Sequence, residues 1–306
     1  MKQQPVSIYD PIHPVDPARL GRLAHLLRSM TTVELNYSDA DPGWDGSDGS
    51  IMRRELEYAA QFPALLRRLD HLYRAIRVGI VAVTEHGRSL AAILESDPGP
   101  TVGAASAYVL SRVAVETLAR GWWILDRSLT PETRVSRFLA NELYGAAFQD
   151  EMAKEAGWTS AYLEVDTQAD LIRKWCEELG LSCSARSVGD ETAPKPSQIA
   201  NALIADTAYA VNGRAIYQLS SGIVHGLSWG LAQSSYRLDL RGPNSHFSRA
   251  EVSQEMPEGA GGVVIACFIA TISRLREIMG WGNITLDGFG SPAMAFLNTG
   301  PNVVGP

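Results

Sequence analysis

The chain has 306 residues, 45% of them apolar, and a formal net charge of −7. That length buries an ample core, and the acidic balance disfavours a generic nucleic-acid partner, since phosphate binding wants a basic face. Three cysteines, Cys176, Cys183 and Cys267, stand at no ligand spacing, so neither a disulfide framework nor a cysteine zinc site is expected.

The opening run MKQQPVSIYDPIHPVDP has no apolar stretch of the kind a secretion signal carries, and a cytoplasmic location is expected. DPARLGRLAHLLRSM reads as a first helix, with Asp16 as N-cap and Pro17 in the first position. NYSDADPGWDGSDGS follows as a turn-rich acidic loop. Its Asp39, Asp41, Asp45 and Asp48 miss the calcium-loop spacing, because Trp44 falls where the sharp-turn glycine belongs. A solvated loop is the expectation, and residues 1–49 read as an accessory segment.

Helix formers dominate from Ser50 to Ser96, with Pro63 starting or kinking a helix and ESDPGP ending it. The next helix runs from about Val102 to Leu125. It carries Arg112, Glu116 and Arg120 on one stripe, flanked by Val109, Val113, Ala119 and Trp123. Apolar flanks argue that Arg112 and Glu116 point inward; the alternative is a surface ion pair. Thr130 and Pro131 then open ETRVSRFLANELYGAAFQDEMAKEAG. There Arg134, Arg137, Asn141 and Tyr144 form a polar stripe opposite Val135, Phe138, Leu139 and Leu143. This stripe is expected to be a solvated outer face. If it lines a cleft instead, Arg137 and Asn141 are binding residues, and its arginines suit a carboxylate or phosphate.

TQADLIRKWCEELG is a helix closed by Gly180, SARSVGDETAPKP a polar linker, and Ser197 the expected cap of QIANALIADTAYAV. In YQLSSGIVHGLSWG, helical periodicity over 214–231 would align Gly222, Gly226 and Gly230. It would also align Tyr217, Ser221 and His225 on the next ridge. A helical glycine costs about 1 kcal/mol relative to alanine, so three in register predict a close neighbour. Residues 237–262 are expected to be a long irregular loop, suited to a lid. VVIACFIATISRLREIM is the last expected helix, and the Gly/Pro-rich residues 281–306 are expected to be an extended tail. No apolar run reaches membrane-spanning length. The fold class is therefore all-α, a multi-helix bundle in a single domain over 1–306.

Dinucleotide and Walker-type glycine motifs are absent, as are His-Glu-x-x-His and the repeated Glu-x-x-His of di-iron bundles. No metal or cofactor is expected. The polar residues instead suggest a bundle that binds or transforms a small molecule. In it His225 is the general acid or base, Glu116 orients it, and Arg112 receives an anionic group. Ser221 and Tyr217 place hydrogen bonds, and Trp122, Trp123 and Trp229 wall the pocket with Tyr217.

The Arg/Glu helix SRVAVETLARGWWILD followed by YQLSSGIVHG resembles the HEPN-type helical bundles of prokaryotic toxin and defence systems, over about residues 60 to 236. The resemblance implies RNA cleavage by an arginine–histidine pair, with His225 matching the histidine. Ser220 stands where that family's motif has its arginine. A ribonuclease or toxin is therefore the alternative reading, and a non-enzymatic interaction protein a third. A homodimer is a further expectation, since helical bundles and glycine ridges readily pair.

Overall fold

The computed structural model describes residues 17–39, 46–95, 104–155, 168–207, 209–225, 236–238, 247–249, 255–281 and 287–299. They form a multi-helix, all-α fold. Its helices are α1 (Pro17–Asp39), α2 (Ile51–Ala59), α3 (Pro63–Glu95), α4 (Ala104–Ile124), α5 (Pro131–Glu155) and α6 (Gln168–Glu178). They continue with α7 (Pro196–Ala205), α8 (Ala210–Val224), α9 (Glu255–Met279) and α10 (Asp287–Asn298). Two short antiparallel hairpins interrupt them: β1 (Ser187–Val188) with β2 (Glu191–Thr192), and β3 (Tyr236–Leu238) with β4 (Phe247–Arg249). Among the described residues no helix is long and apolar enough to cross a membrane.

Local chemistry sets several boundaries. Ser50 caps α2 by accepting a hydrogen bond from the backbone N–H of Arg53 at 3.1 Å. Pro63 stands first in α3, where its missing N–H costs nothing. Gly180, at φ +68°, closes α6 as expected. The cap of α7 is Lys195 rather than Ser197, because Pro196 already supplies the first helical residue. Asp39 is the last residue of α1 and Asp48 lies in an exposed turn, while Asp41 and Asp45 fall outside the described residues.

Helix α4 is the hub. It lies against α3, α7, α8 and α9, and buries Ala107, Tyr108, Ala114, Val115, Leu118 and Ala119 among them. Helix α1 is built into the same core, packed on α3 with Leu23, Leu27 and Met30 fully buried.

Two expectations about irregular segments are overturned. Residues 255–262 of the expected loop are the first turns of α9, and 236–238 with 247–249 make a hairpin. The glycines of EGAGG let helices meet closely. A Cβ on Gly259 would stand 2.6 Å from Ile216 Cδ1, and one on Gly261 2.9 Å from Leu23 Cδ2. The tail is not wholly extended either. Helix α10 forms despite Pro292, because Phe289, Ala293, Phe296 and Leu297 recur at helical spacing and are all buried.

The polar stripe of α5 is also corrected. Arg134 has no exposed surface at all. Helix α5 is flanked by α3, α4 and α6 and by the β1–β2 hairpin, so few of its sides are left to solvent.

Candidate binding site

The Arg112 and Glu116 side chains of α4 turn inward, although Val109 and Val113 beside them are exposed. Arg112 Nε donates to Glu116 Oε1 at 2.8 Å, and the two side chains are only 16% and 20% exposed. Tyr217, from α8, donates its hydroxyl to the same carboxylate oxygen at 2.9 Å. The Arg112 guanidinium stands 5.9 Å from the Tyr217 ring centroid. Burial, and then the neighbouring Glu116 charge, pushes the Tyr217 hydroxyl well above its ordinary range, so it remains a donor. Arg112 Nη1 is buried and has no hydrogen-bond partner among the described residues.

The rest of the predicted set is dispersed. Helix α8 stops at Val224, and His225 is its exposed C-cap, with its backbone N–H donating to Ser221 O at 3.1 Å. Eight residues of helix separate it from Tyr217, about 12 Å along the axis. No hydrogen bond joins its ring to the Arg112–Glu116–Tyr217 group among the described residues. Ser221 is half-buried, and Ser220 is buried, donating to Ile216 O at 2.8 Å. Gly226, Trp229 and Gly230 lie outside the described residues.

Trp122 and Arg137 are engaged elsewhere. Trp122 Nε1 donates to Asp206 Oδ2 at 3.2 Å, while the Arg274 guanidinium stacks 3.6 Å above the Trp122 ring. Arg137 Nε donates to Glu191 Oε2 at 2.9 Å, and its Nη1 to the Trp123 carbonyl at 3.1 Å. These contacts fasten α4 to its neighbours and leave both side chains occupied.

Asn141 lies in a different setting. With Thr117, Arg120 and Glu142 it lines a cleft of about 160 Å³ between α3, α4 and α5. Ile76, Ile80, Leu118 and Phe138 supply apolar wall. Asn141 Nδ2 donates to Glu142 Oε1 at a long 3.4 Å. Arg120 makes no hydrogen bond among the described residues. Burial raises the Glu142 carboxyl above the usual carboxylate range, opposed by the Asn141 amide and by the charges of His71 and Arg120. A wider groove of about 370 Å³ runs past Tyr58, Phe62, Leu65 and Leu179. Its charged groups are already engaged, Glu132 by Tyr58 and Glu178 by Arg67 and Arg68. The smaller cleft is therefore the one with free chemistry.

Sequence reasoning named Asn141 and placed Arg120 on the stripe, but it missed Glu142. A usable signal was the pair Gly79 and Gly121, both of which line the cleft. Each costs helix stability, and each leaves space where a side chain would stand.

Glu142 gives a pH prediction. In the fold its carboxyl holds its proton to higher pH than in the unfolded chain. Stability is therefore lost as pH rises from the ordinary carboxylate range through the raised value. Glu142→Gln escapes that cost. Urea unfolding at pH 7 is expected to find the variant more stable than wild type, with the advantage vanishing in acid below the ordinary range. An advantage that persists there would mean that glutamine improves packing and ionisation is not the cause.

Among the described residues no three His, Cys, Asp or Glu side chains gather as a metal site requires. In comparisons with known proteins, no family model, curated protein or solved structure matches this chain.

Proposed function

We propose that this chain is a small-molecule-binding helical bundle protein whose ligand occupies the cleft between α3, α4 and α5. One observation carries the reading: Arg120 presents a guanidinium without a hydrogen bond to a cleft that also holds Asn141 and Glu142. Half-buried charge without a partner is costly, and a ligand that supplies one recovers that cost on binding. The Arg112–Glu116 pair on the same helix, joined by Tyr217 of α8, braces α4 against α8 and fixes the stripe on which Arg120 stands.

The test is a thermal-shift screen of small charged metabolites against wild type and Gly121→Val. A Cβ at position 121 meets nothing nearer than Thr271 Cγ2 at 3.8 Å, so valine should fold while filling the cleft. Compounds that stabilise wild type and not the variant are expected. A screen without any Gly121-dependent ligand sinks the reading.

Ribonuclease activity, the second reading, is favoured by the solvent exposure of His225, which leaves its ring open to a large substrate. Its test is incubation with total RNA at low salt with divalent ions chelated. RNA that stays intact, or cleavage that persists in His225→Ala, removes it.

A further inference from the structure

We propose that the cleft takes a small zwitterion, an α-amino acid with a short apolar side chain, its carboxylate on Arg120 and its ammonium on Glu142. This rests on the small-molecule reading above and names the ligand class.

The first ground is a pair of opposite charges that do not meet. Arg120 and Glu142 line one cleft, and the Arg120 charge acts on the Glu142 carboxyl, yet no ion pair joins them. Arg112 and Glu116, on the same helix, do close onto each other at 2.8 Å. In the cleft the guanidinium is left without an acceptor, and the carboxylate has only the long Asn141 amide contact. A molecule carrying both an anion and a cation satisfies the two at once.

Charge matching narrows the class. A simple carboxylate would pair with Arg120 but press a second negative charge on Glu142. A simple amine would pair with Glu142 and meet Arg120. Either mismatch works against binding, whereas a zwitterion meets neither penalty.

Size and wall chemistry set the rest. A cleft of about 160 Å³ compares with the roughly 150 Å³ cavity that takes up one benzene molecule. Ile76, Ile80, Leu118 and Phe138 offer an aliphatic or aromatic surface to a side chain of that bulk. Gly79 and Gly121 keep the space open, since a Cβ at either would meet only a threonine methyl, at 3.4 and 3.8 Å. A long polar side chain would lose its hydration against this wall without finding partners.

The experiment is calorimetric titration of the wild-type chain with L-leucine and L-valine. Two analogues, 4-methylpentanoate and 3-methylbutylamine, each keep one charge of leucine. The expected result is binding of an amino acid at least tenfold tighter than of either analogue, needing no variant to interpret. Arg120→Gln and Glu142→Gln should each weaken it by tenfold or more with the helical circular dichroism unchanged, and Gly121→Val should abolish it. An analogue that binds as tightly as the amino acid, and loses binding in Gly121→Val, overturns the zwitterion while the cleft reading stands. Amino-acid binding that survives Gly121→Val places the ligand elsewhere and overturns it as well. If none of the four binds, the zwitterion falls, and the metabolite screen then decides whether the cleft reading falls with it.

Discussion

Replacing Arg134 with methionine is expected to cost about 3–5 kcal/mol of folding stability, the range for breaking a buried pair by removing one partner. Arg134 is fully buried, and its fork reaches two other elements. Nε and Nη2 donate to Glu55 on α2 at 3.1–3.2 Å, and Nη1 donates to the carbonyl of Ile124 at 2.7 Å, at the end of α4. Tyr73 of α3 completes the network, its hydroxyl donating to Glu55 Oε2 at 2.7 Å. Burial and the Glu55 charge push that hydroxyl upward, so it cannot give up its proton to relieve the carboxylate. Methionine would fill much of the space but leave Glu55 charged, buried and held by one neutral donor. The Ile124 carbonyl would lose its partner too. The measurement is urea unfolding of Arg134→Met, of Glu55→Gln and of the double variant. The double variant should be more stable than the sum of the single losses predicts, because the stranded charge is gone. A loss below about 1 kcal/mol in Arg134→Met would show that the pair does not hold α2, α4 and α5 together.

That network also marks where sequence patterning stops being informative. Spacing along α5 correctly says that Arg134, Arg137 and Asn141 share a side, but not what covers that side. The cover comes from Glu55, 79 residues earlier, and from Glu191, 54 residues later than Arg137. Arg112 and Glu116 turn inward as their apolar flanks suggested, yet Val109 and Val113 of those flanks are themselves exposed; the partner Tyr217, 101 residues away, was the unpredictable part. Helix α10 was legible in its period of buried Phe289, Ala293, Phe296 and Leu297, and was masked by the weight given to Gly288, Gly290 and Pro292. The same reading of glycine failed at the start of α9, where the residue serves close approach. At α8 the ridge of Tyr217, Ser221 and His225 reaches the helix terminus, while Gly226 and Gly230 of the glycine ridge lie outside the described residues. Neither Arg120 nor Glu142 looks special by composition; that they line one cleft without pairing depends on how α4 and α5 pack.

Arg19→Met is expected to lower stability by about 3 kcal/mol and to release α10. Arg19 lies in the first turn of α1 and joins three helices. Its Nε donates to Glu258 Oε1 on α9 at 2.5 Å, its Nη1 to the Thr299 carbonyl just beyond α10 at 2.6 Å, and its guanidinium stacks 4.5 Å from the Phe296 ring centroid. Glu258 is 3% exposed, so removing the arginine strands a buried carboxylate. The Tyr209 hydroxyl beside it is pushed up to about 12, by burial first and then by Glu258, and stays neutral. Glu258 sits in the first turn of α9, where the helix N-terminus favours negative charge, and that places the cost at the lower end of the range. The loss should be uneven. Amide hydrogen exchange ought to quicken most in α10, which this side chain ties to α1 and α9, and least in α3 and α4. Arg19→Lys should recover only part, since a single ammonium cannot serve both Glu258 and Thr299 with the fixed fork of a guanidinium. Unchanged α10 exchange in Arg19→Met would mean that the apolar face of Phe289, Ala293, Phe296 and Leu297 holds that helix by itself. The arginine would then serve Glu258 alone.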